Sequence, residues 1–208
     1  MLMRNMVNCE LVNELDSVSL LHGNADTCGD LAKIGIITVS DRASRGEYED
    51  EGGPAIHDFL REAIASPVEV HYRCVPDELS QITNELIHLS DVVGCSVIVT
   101  TGGTGPAVRD VTPEATSVVC DRILDGFGEQ MRAISLQYVP TAILSRQLGG
   151  IRGESLIFNL PGRPKAIRET IDSIWQAVPY CVDLLNGPYI DMVDAVCTAF
   201  RPKGASRR

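Results

Sequence analysis

The strongest constraint on the fold is a set of continuous apolar runs, each ending in a loop rich in glycine or charge. KIGIITVS (33–40), CSVIVTTGG (95–103) and SLIFNLP (155–161) are apolar along their whole length rather than alternating. That pattern suits strands covered on both faces, as in parallel sheets. VEVHYRCV (68–75) is a further candidate strand. Helical spacing fills the gaps between them: Ala55, Ile56, Phe59, Leu60, Ala63 and Ile64 trace one face, and Leu79, Ile82, Leu86 and Leu89 another, with Asp77 placed as its N-cap. Phe127, Met131, Ile134 and Tyr138 mark a third helix, and Ile167, Ile171, Ile174, Trp175 and Val178 a fourth that Pro179 should end or kink. Thr112-Pro113-Glu114 has the form of a helix start, with a capping Thr and Pro at the first helical position. Strand–helix alternation of this kind predicts an α/β, three-layer fold with a mostly parallel central sheet and helices on both faces.

The 208 residues fit one domain. We place it at 33–200, after a loosely ordered extension over 1–32 and before a basic tail, RPKGASRR, at 201–208. No window approaches the ~18 apolar residues of a membrane span, and the N-terminal residues lack the unbroken apolar core of a signal peptide. A cytoplasmic protein with no membrane partner is expected. Seven cysteines without a CxxC pair and four scattered histidines argue against a zinc site or a disulfide framework. The net charge of −10 argues against nucleic acid as a partner. It also repels phosphate-bearing substrates, so a local group of cations would have to reverse the field.

In open parallel sheets ligands bind at the carboxyl ends of the strands. Three loops qualify: SDRASRGEYEDEGGP after the first run, TGGTGPAVRD after the third, and NLPGRPK after the last. Gly102, Gly103 and Gly105 allow close backbone approach and can aim N–H groups at phosphate oxygens, or they make only a tight turn. Asp110 is a Mg²⁺ ligand near phosphates or a turn residue, and Asp77 a site carboxylate or a cap. Arg42, Arg45, Arg109, Arg163 and Lys165 supply the candidate cations, while the acidic run 47–51 reads as a solvated loop. No Ser/His/Asp or Cys/His arrangement supports a covalent nucleophile; positioning and charge would carry phosphoryl chemistry.

VSDRASRGEYEDEGGPA, VPDE, TTGGTGPAVRDVTPEAT, GFGEQMR, PTAILSRQ and IFNLPGRPK together resemble the bacterial molybdopterin adenylyltransferases, the Mog family of molybdenum-cofactor biosynthesis, with kin in the G domains of gephyrin and plant proteins. The resemblance covers 33–203. It implies a molybdopterin-binding-domain fold, usually a homotrimer, in which 33–200 is catalytic. The implied nucleotidyltransferase reaction is adenylylation of molybdopterin by ATP with Mg²⁺, giving adenylyl-molybdopterin and pyrophosphate, with hand-over to the molybdate-inserting enzyme. By motif, Asp77 and Asp110 match the aspartates on which activity depends, Asp110 being the tentative Mg²⁺ ligand. Thr101, Gly102, Gly103, Thr104, Gly105 and Arg109 match the nucleotide-phosphate loop. Ser40, Asp41, Arg42, Ser145, Asn159, Pro161, Gly162 and Lys165 match segments lining the pterin and nucleotide sites. Residues 1–32 lie outside the family pattern, and the stretch from Ile171 into VPYCVDLL is shorter than in some members.

Overall fold

The structure, a computed structural model, describes residues 16–21 and 30–204. Among the described residues seven strands form one sheet: β1 Asp16–Leu21, β2 Ala32–Val39, β3 Val68–Val75, β4 Val97–Thr101, β5 Arg122–Ile123, β6 Gly149–Arg152 and β7 Ser155–Leu160. Their order is β1-β3-β2-β4-β7-β6-β5. The three apolar runs and VEVHYRCV are the central strands, β3, β2, β4 and β7, all parallel; β1 pairs antiparallel with β3, β6 antiparallel with β7, and β5 antiparallel with β6.

Side chains on a strand alternate between faces, so the central strands bury two separate cores. Ile34, Ile36, Val97, Val99, Leu156 and Phe158 point to one side. There they meet α2 (Gly52–Ala63) and α6 (Pro164–Ile174), with Trp175 edge-on to Phe59 at 5.2 Å. Ile37, Val39, Ile98 and Ile157 point to the other side, against Ile82 and Leu86 of α3 (Leu79–Ile87) and Ala115 and Val119 of α4 (Thr112–Val119). Each buried Ile, Leu or Phe contributes about 1.5–3 kcal/mol of hydrophobic stabilisation. Both faces being covered is why these runs show no polar alternation. A four-residue helix, α1 (Asp41–Ser44), and two others, α5 (Asp125–Ser135) and α7 (Val178–Leu184), complete the layers.

Several expectations change. Residues 16–21, expected to be loosely ordered, form β1, which pairs along β3 and satisfies that strand's free edge. The short DSVSLL run, with Val18 and Leu20 exposed, left little pattern to detect. The remainder of 1–32 falls outside the described residues at 1–15 and 22–29. Pro179 begins α7 rather than ending a helix, because a 3₁₀ turn at Trp175–Ala177 already breaks the chain after α6. Arg201 of the expected tail is held by Asp183 Oδ2 at 2.5 Å and lies 4.1 Å over the Tyr189 ring; 205–208 fall outside the described residues. No helix among the described residues is long and apolar enough to cross a membrane.

Candidate active site

Because β2, β3, β4 and β7 are parallel, the loops after all four emerge at one edge of the sheet. The sequence pointed to three of them. The fourth, after β3, brings Asp77 to the same place.

The glycine loop after β4 is held through its carbonyls. Thr112 Oγ1 donates to Gly102 O at 2.9 Å, and Thr112 N to Gly103 O at 3.1 Å. Arg146 N donates to Thr104 O at 3.0 Å, and Arg146 Nε to Gly105 O at 2.9 Å. In a trans peptide the C=O and the following N–H point opposite ways. With the carbonyls of 102–104 bound from within, the N–H groups of Gly103, Thr104 and Gly105 are turned the other way, as an anion-binding concavity requires. Gly102 and Gly103 both adopt positive φ, +95° and +63°. A side chain at Gly102 would put Cβ 2.2 Å from Val39 O, so glycine is required there by conformation and by space. Thr112 therefore ties the loop down instead of capping α4, whose preceding residue is Val111.

The two sequence-singled aspartates flank this loop. A Cβ placed on Gly103 would lie 3.2 Å from Asp77 Oδ1, and one on Gly105 would lie 2.8 Å from Asp110 Oδ2. Asp77 does not cap α3, for Glu78 precedes that helix. Instead Asp77 Oδ2 accepts from Asp41 N at 2.7 Å while Asp41 Oδ1 accepts from Asp77 N at 3.1 Å. Burial pushes the Asp77 carboxyl above its ordinary value, and the nearby Asp41 and Asp110 carboxylates add to this against the Asp41 N–H bond. Asp110 turns Oδ2 onto Ala107 N at 2.9 Å.

The expected group of cations is partly neutralised. Arg109 reaches Asp41 Oδ1 at 2.8 Å and Glu78 Oε1 at 2.7 Å, and its hydrogen bonds hold the Asp41 carboxyl below the usual range. Arg45 pairs with Glu47, and Lys165, on α6 rather than in the loop, lies 3.8 Å from Glu169. Arg42 lies 5.2 Å over the Tyr48 ring. Arg163 stands exposed just before α6, without a carboxylate partner among the described residues.

Beside the glycine loop is a cavity of about 140 Å³ lined by, among others, Ser40, Tyr48, Asp50, Thr101, Gly102 and Gly162. Ser40 also caps α1, accepting from Ala43 N at 3.2 Å. Pro161 O accepts from Thr101 Oγ1 at 2.9 Å, and Gly162 abuts Gly102, which draws the β7 loop against the glycine loop. Asn159 does not line the cavity. It is fully buried, its Nδ2 donating to Thr100 Oγ1 (3.0 Å) and Thr116 Oγ1 (2.9 Å), and so braces β4, β7 and α4 from below. Ser145 donates to Gln147 Oε1 at 2.6 Å, next to Arg146.

Sequence reasoning passed over Arg146 and Asp50. Far from sitting in a solvated loop, Asp50 accepts from Thr38 Oγ1 and Tyr72 Oη, both at 2.8 Å, and from the N–H groups of Gly52 and Gly53, both at 2.9 Å. An Asp two residues before Gly-Gly-Pro was the available signal, since a short acid near a helix start can accept from its first N–H groups. Arg146 lay within the quoted segment PTAILSRQ, but no spacing rule ties it to a loop 40 residues earlier in the chain.

A Mg²⁺ ion fits the donors present. Asp77 and Asp110 offer hard carboxylate oxygens on either side of the glycine loop, and a cation there would offset the carboxylate repulsion that adds to burial in raising Asp77. Among the described residues no three His, Cys, Asp or Glu side chains converge to cage a metal. Its other ligands would then be phosphate and water, as Mg²⁺ prefers.

Residues 35–180 match the model of the probable molybdopterin binding domain. The molybdopterin adenylyltransferase of Helicobacter pylori J99 is 55% identical over 170 residues, covering 82% of this chain and 97% of that protein. That of Escherichia coli K12 is 51% identical over 187 residues, covering 84% and 96%. The crystal structure of the molybdopterin biosynthesis enzyme MoaB from Thermus thermophilus superposes with a TM-score of 0.68 at 42% identity, over 74% of this chain and 96% of that one. With the glycine loop, its flanking aspartates and a mostly parallel sheet in place, the chain belongs to the molybdopterin adenylyltransferase family.

Proposed function

We propose that the protein adenylylates molybdopterin with Mg-ATP, releasing pyrophosphate. The observation that carries this reading is the inward binding of the loop carbonyls, which frees the N–H groups of Gly103, Thr104 and Gly105 for nucleotide phosphate between two carboxylates. A phosphate oxygen of molybdopterin attacks the α-phosphorus of ATP in line. The new P–O bond joins pterin phosphate to AMP, and the bond to the β-phosphate oxygen breaks. The nucleophile is a phosphate monoester with a second pKa of about 6, so it is ionised at pH 7 and needs no general base. Asp110 and Asp77 would hold Mg²⁺, whose contribution is to neutralise charge on the phosphates. The cavity lined by Ser40, Asp50 and Gly162 lies against the loop and is available to one of the ring systems.

A homotrimer fits the exposed apolar band Leu136, Tyr138, Val139, Ile143 and Leu144 at the end of α5 and the turn after it. Hand-over of the product to a molybdate-inserting enzyme and a cytoplasmic location complete the proposal. Purified protein incubated with molybdopterin, ATP and Mg²⁺ should yield adenylyl-molybdopterin by mass spectrometry, with stoichiometric pyrophosphate. Tight pterin binding without product would replace this reading with that of a binding protein.

A further inference from the structure

We infer that Arg146 is a positioning residue for the adenylyl-transfer reaction, fixing Asp110 against the glycine loop. The inference rests on the reading of Asp110 as a Mg-ATP ligand. The Arg146 guanidinium spans the turn 105–110 from behind: Nε donates to Gly105 O at 2.9 Å and Nη2 donates to Asp110 O, so both ends of the turn hang on one rigid group. Nη1 is held by the Glu114 carboxylate in the first turn of α4, which aims the fork. The Arg146 backbone adds Thr104 O. A planar guanidinium presents several donors in fixed directions, whereas a lysine ammonium is a point donor and cannot span three acceptors in this way.

The arginine is itself braced. Ser145 Oγ donates to Gln147 Oε1, and Gln147 Nε2 donates to Asn159 O at 3.1 Å, tying this segment to β7. Buried Asn159 in turn reaches Thr116 of α4, the helix that carries Glu114. With Nε, Nη1 and Nη2 each bonded to the protein, Arg146 is placed to act through the loop. Asp110 Oδ2 then reaches Ala107 N across a turn whose two ends are fixed.

A double-mutant cycle on the full chain tests this, with pyrophosphate release as the readout and melting temperature as the control. Arg146→Ala should lower kcat by about tenfold to a hundredfold, since small misplacements of a reacting group cost on that order. It should also raise the Mg²⁺ concentration needed for half-maximal rate. In an Asp110→Ala background the same change should cost nothing further, because residues acting as a unit are not additive. Guanidinium ion below denaturing concentrations should restore part of the Arg146→Ala rate, and Arg146→Lys should restore little. Wild-type kcat in Arg146→Ala, or an equal proportional loss with and without Asp110, overturns the proposal. Full activity of Asp110→Ala alone would sink the underlying assignment of the site instead. If Arg146→Ala folds poorly, Glu114→Ala keeps the loop bonds and removes only the partner that aims the fork. A several-fold loss confined to the Asp110 background is then expected, and an equal loss in both backgrounds overturns the inference.

Discussion

The loop after β2 and the loop after β4 face the same space but are anchored in opposite senses. In the first, carboxylates accept from backbone N–H groups: Asp50 takes those of Gly52 and Gly53, and Asp77 takes that of Asp41. In the second, hydroxyl, amide and guanidinium donors take the carbonyls of Gly102, Gly103, Thr104 and Gly105. One loop has spent its donors on the protein, and the other has spent its acceptors. On the proposed function, a chain of net charge −10 would gather phosphate at the second, where backbone amides supply the positive face that side chains mostly do not. The cations expected to do this work are largely paired with acids. Glycines can thus build an anion site without net charge, at the cost of depending on what holds their carbonyls.

The largest effect should come from Asp110, on the donor-rich side. Asp110→Ala should cut turnover on the order of 100- to 1000-fold while leaving the melt cooperative, as for loss of one electrostatic stabiliser of a transition state. A broad melt with the same loss would make Asp110 structural and erase the contrast. On the acid-anchored side the dominant effect should be on stability. Asp50→Ala leaves Thr38, Tyr72 and two helix N–H groups without their acceptor and should cost about 2–4 kcal/mol in urea unfolding. A cost below ~1 kcal/mol would show that the first loop is held by something else.

Asp77 belongs to both sides, and pH sharpens its role. Its folded-state pKa is raised, so its ionised form is favoured less in the folded chain than in the unfolded one. That penalty is present at neutral pH and lifts as pH falls through the raised value. Asp77→Asn, which still accepts from Asp41 N, should therefore be at least as stable as the native chain at pH 7 yet impaired in turnover. The native rate should fall on the acid side with a midpoint above the ordinary aspartate value of 3.8. A variant both less stable and fully active would contradict this. The smallest effect is expected at Arg109, which joins the two loops from the surface. Its pair with Asp41, whose pKa is lowered, is present at neutral pH and lost as pH falls through that lowered value. Arg109→Gln should change the melting temperature little, and added salt should shrink even that difference.

Much of this was legible in the chain. Three of the four central strands could be read because burial on both faces leaves continuous apolar runs, with β3 only a candidate, and the glycine loop because Gly102-Gly103 and Thr112-Pro113 punctuate it. Asp77 and Asp110 were legible through the family resemblance, and the structure sets both beside the loop. β1 was missed since an edge strand has only one neighbour, and its inward Ser17 and Ser19 give no apolar signal. Arg146, Asp50 and the inward turn of Asn159 were missed for a different reason. Each acts through hydrogen bonds to residues distant in the chain or to backbone atoms, which side-chain spacing does not encode.

The most direct test of the central contrast follows backbone amide resonances of ¹⁵N-labelled protein while inorganic pyrophosphate and Mg²⁺ are added. The Gly103, Thr104 and Gly105 amides should shift strongly and saturably, while those of Gly52 and Gly53, already bonded to Asp50, should barely move. Large shifts at Gly52 and Gly53 with none at 103–105 would place the anion on the wrong loop and contradict the assignment.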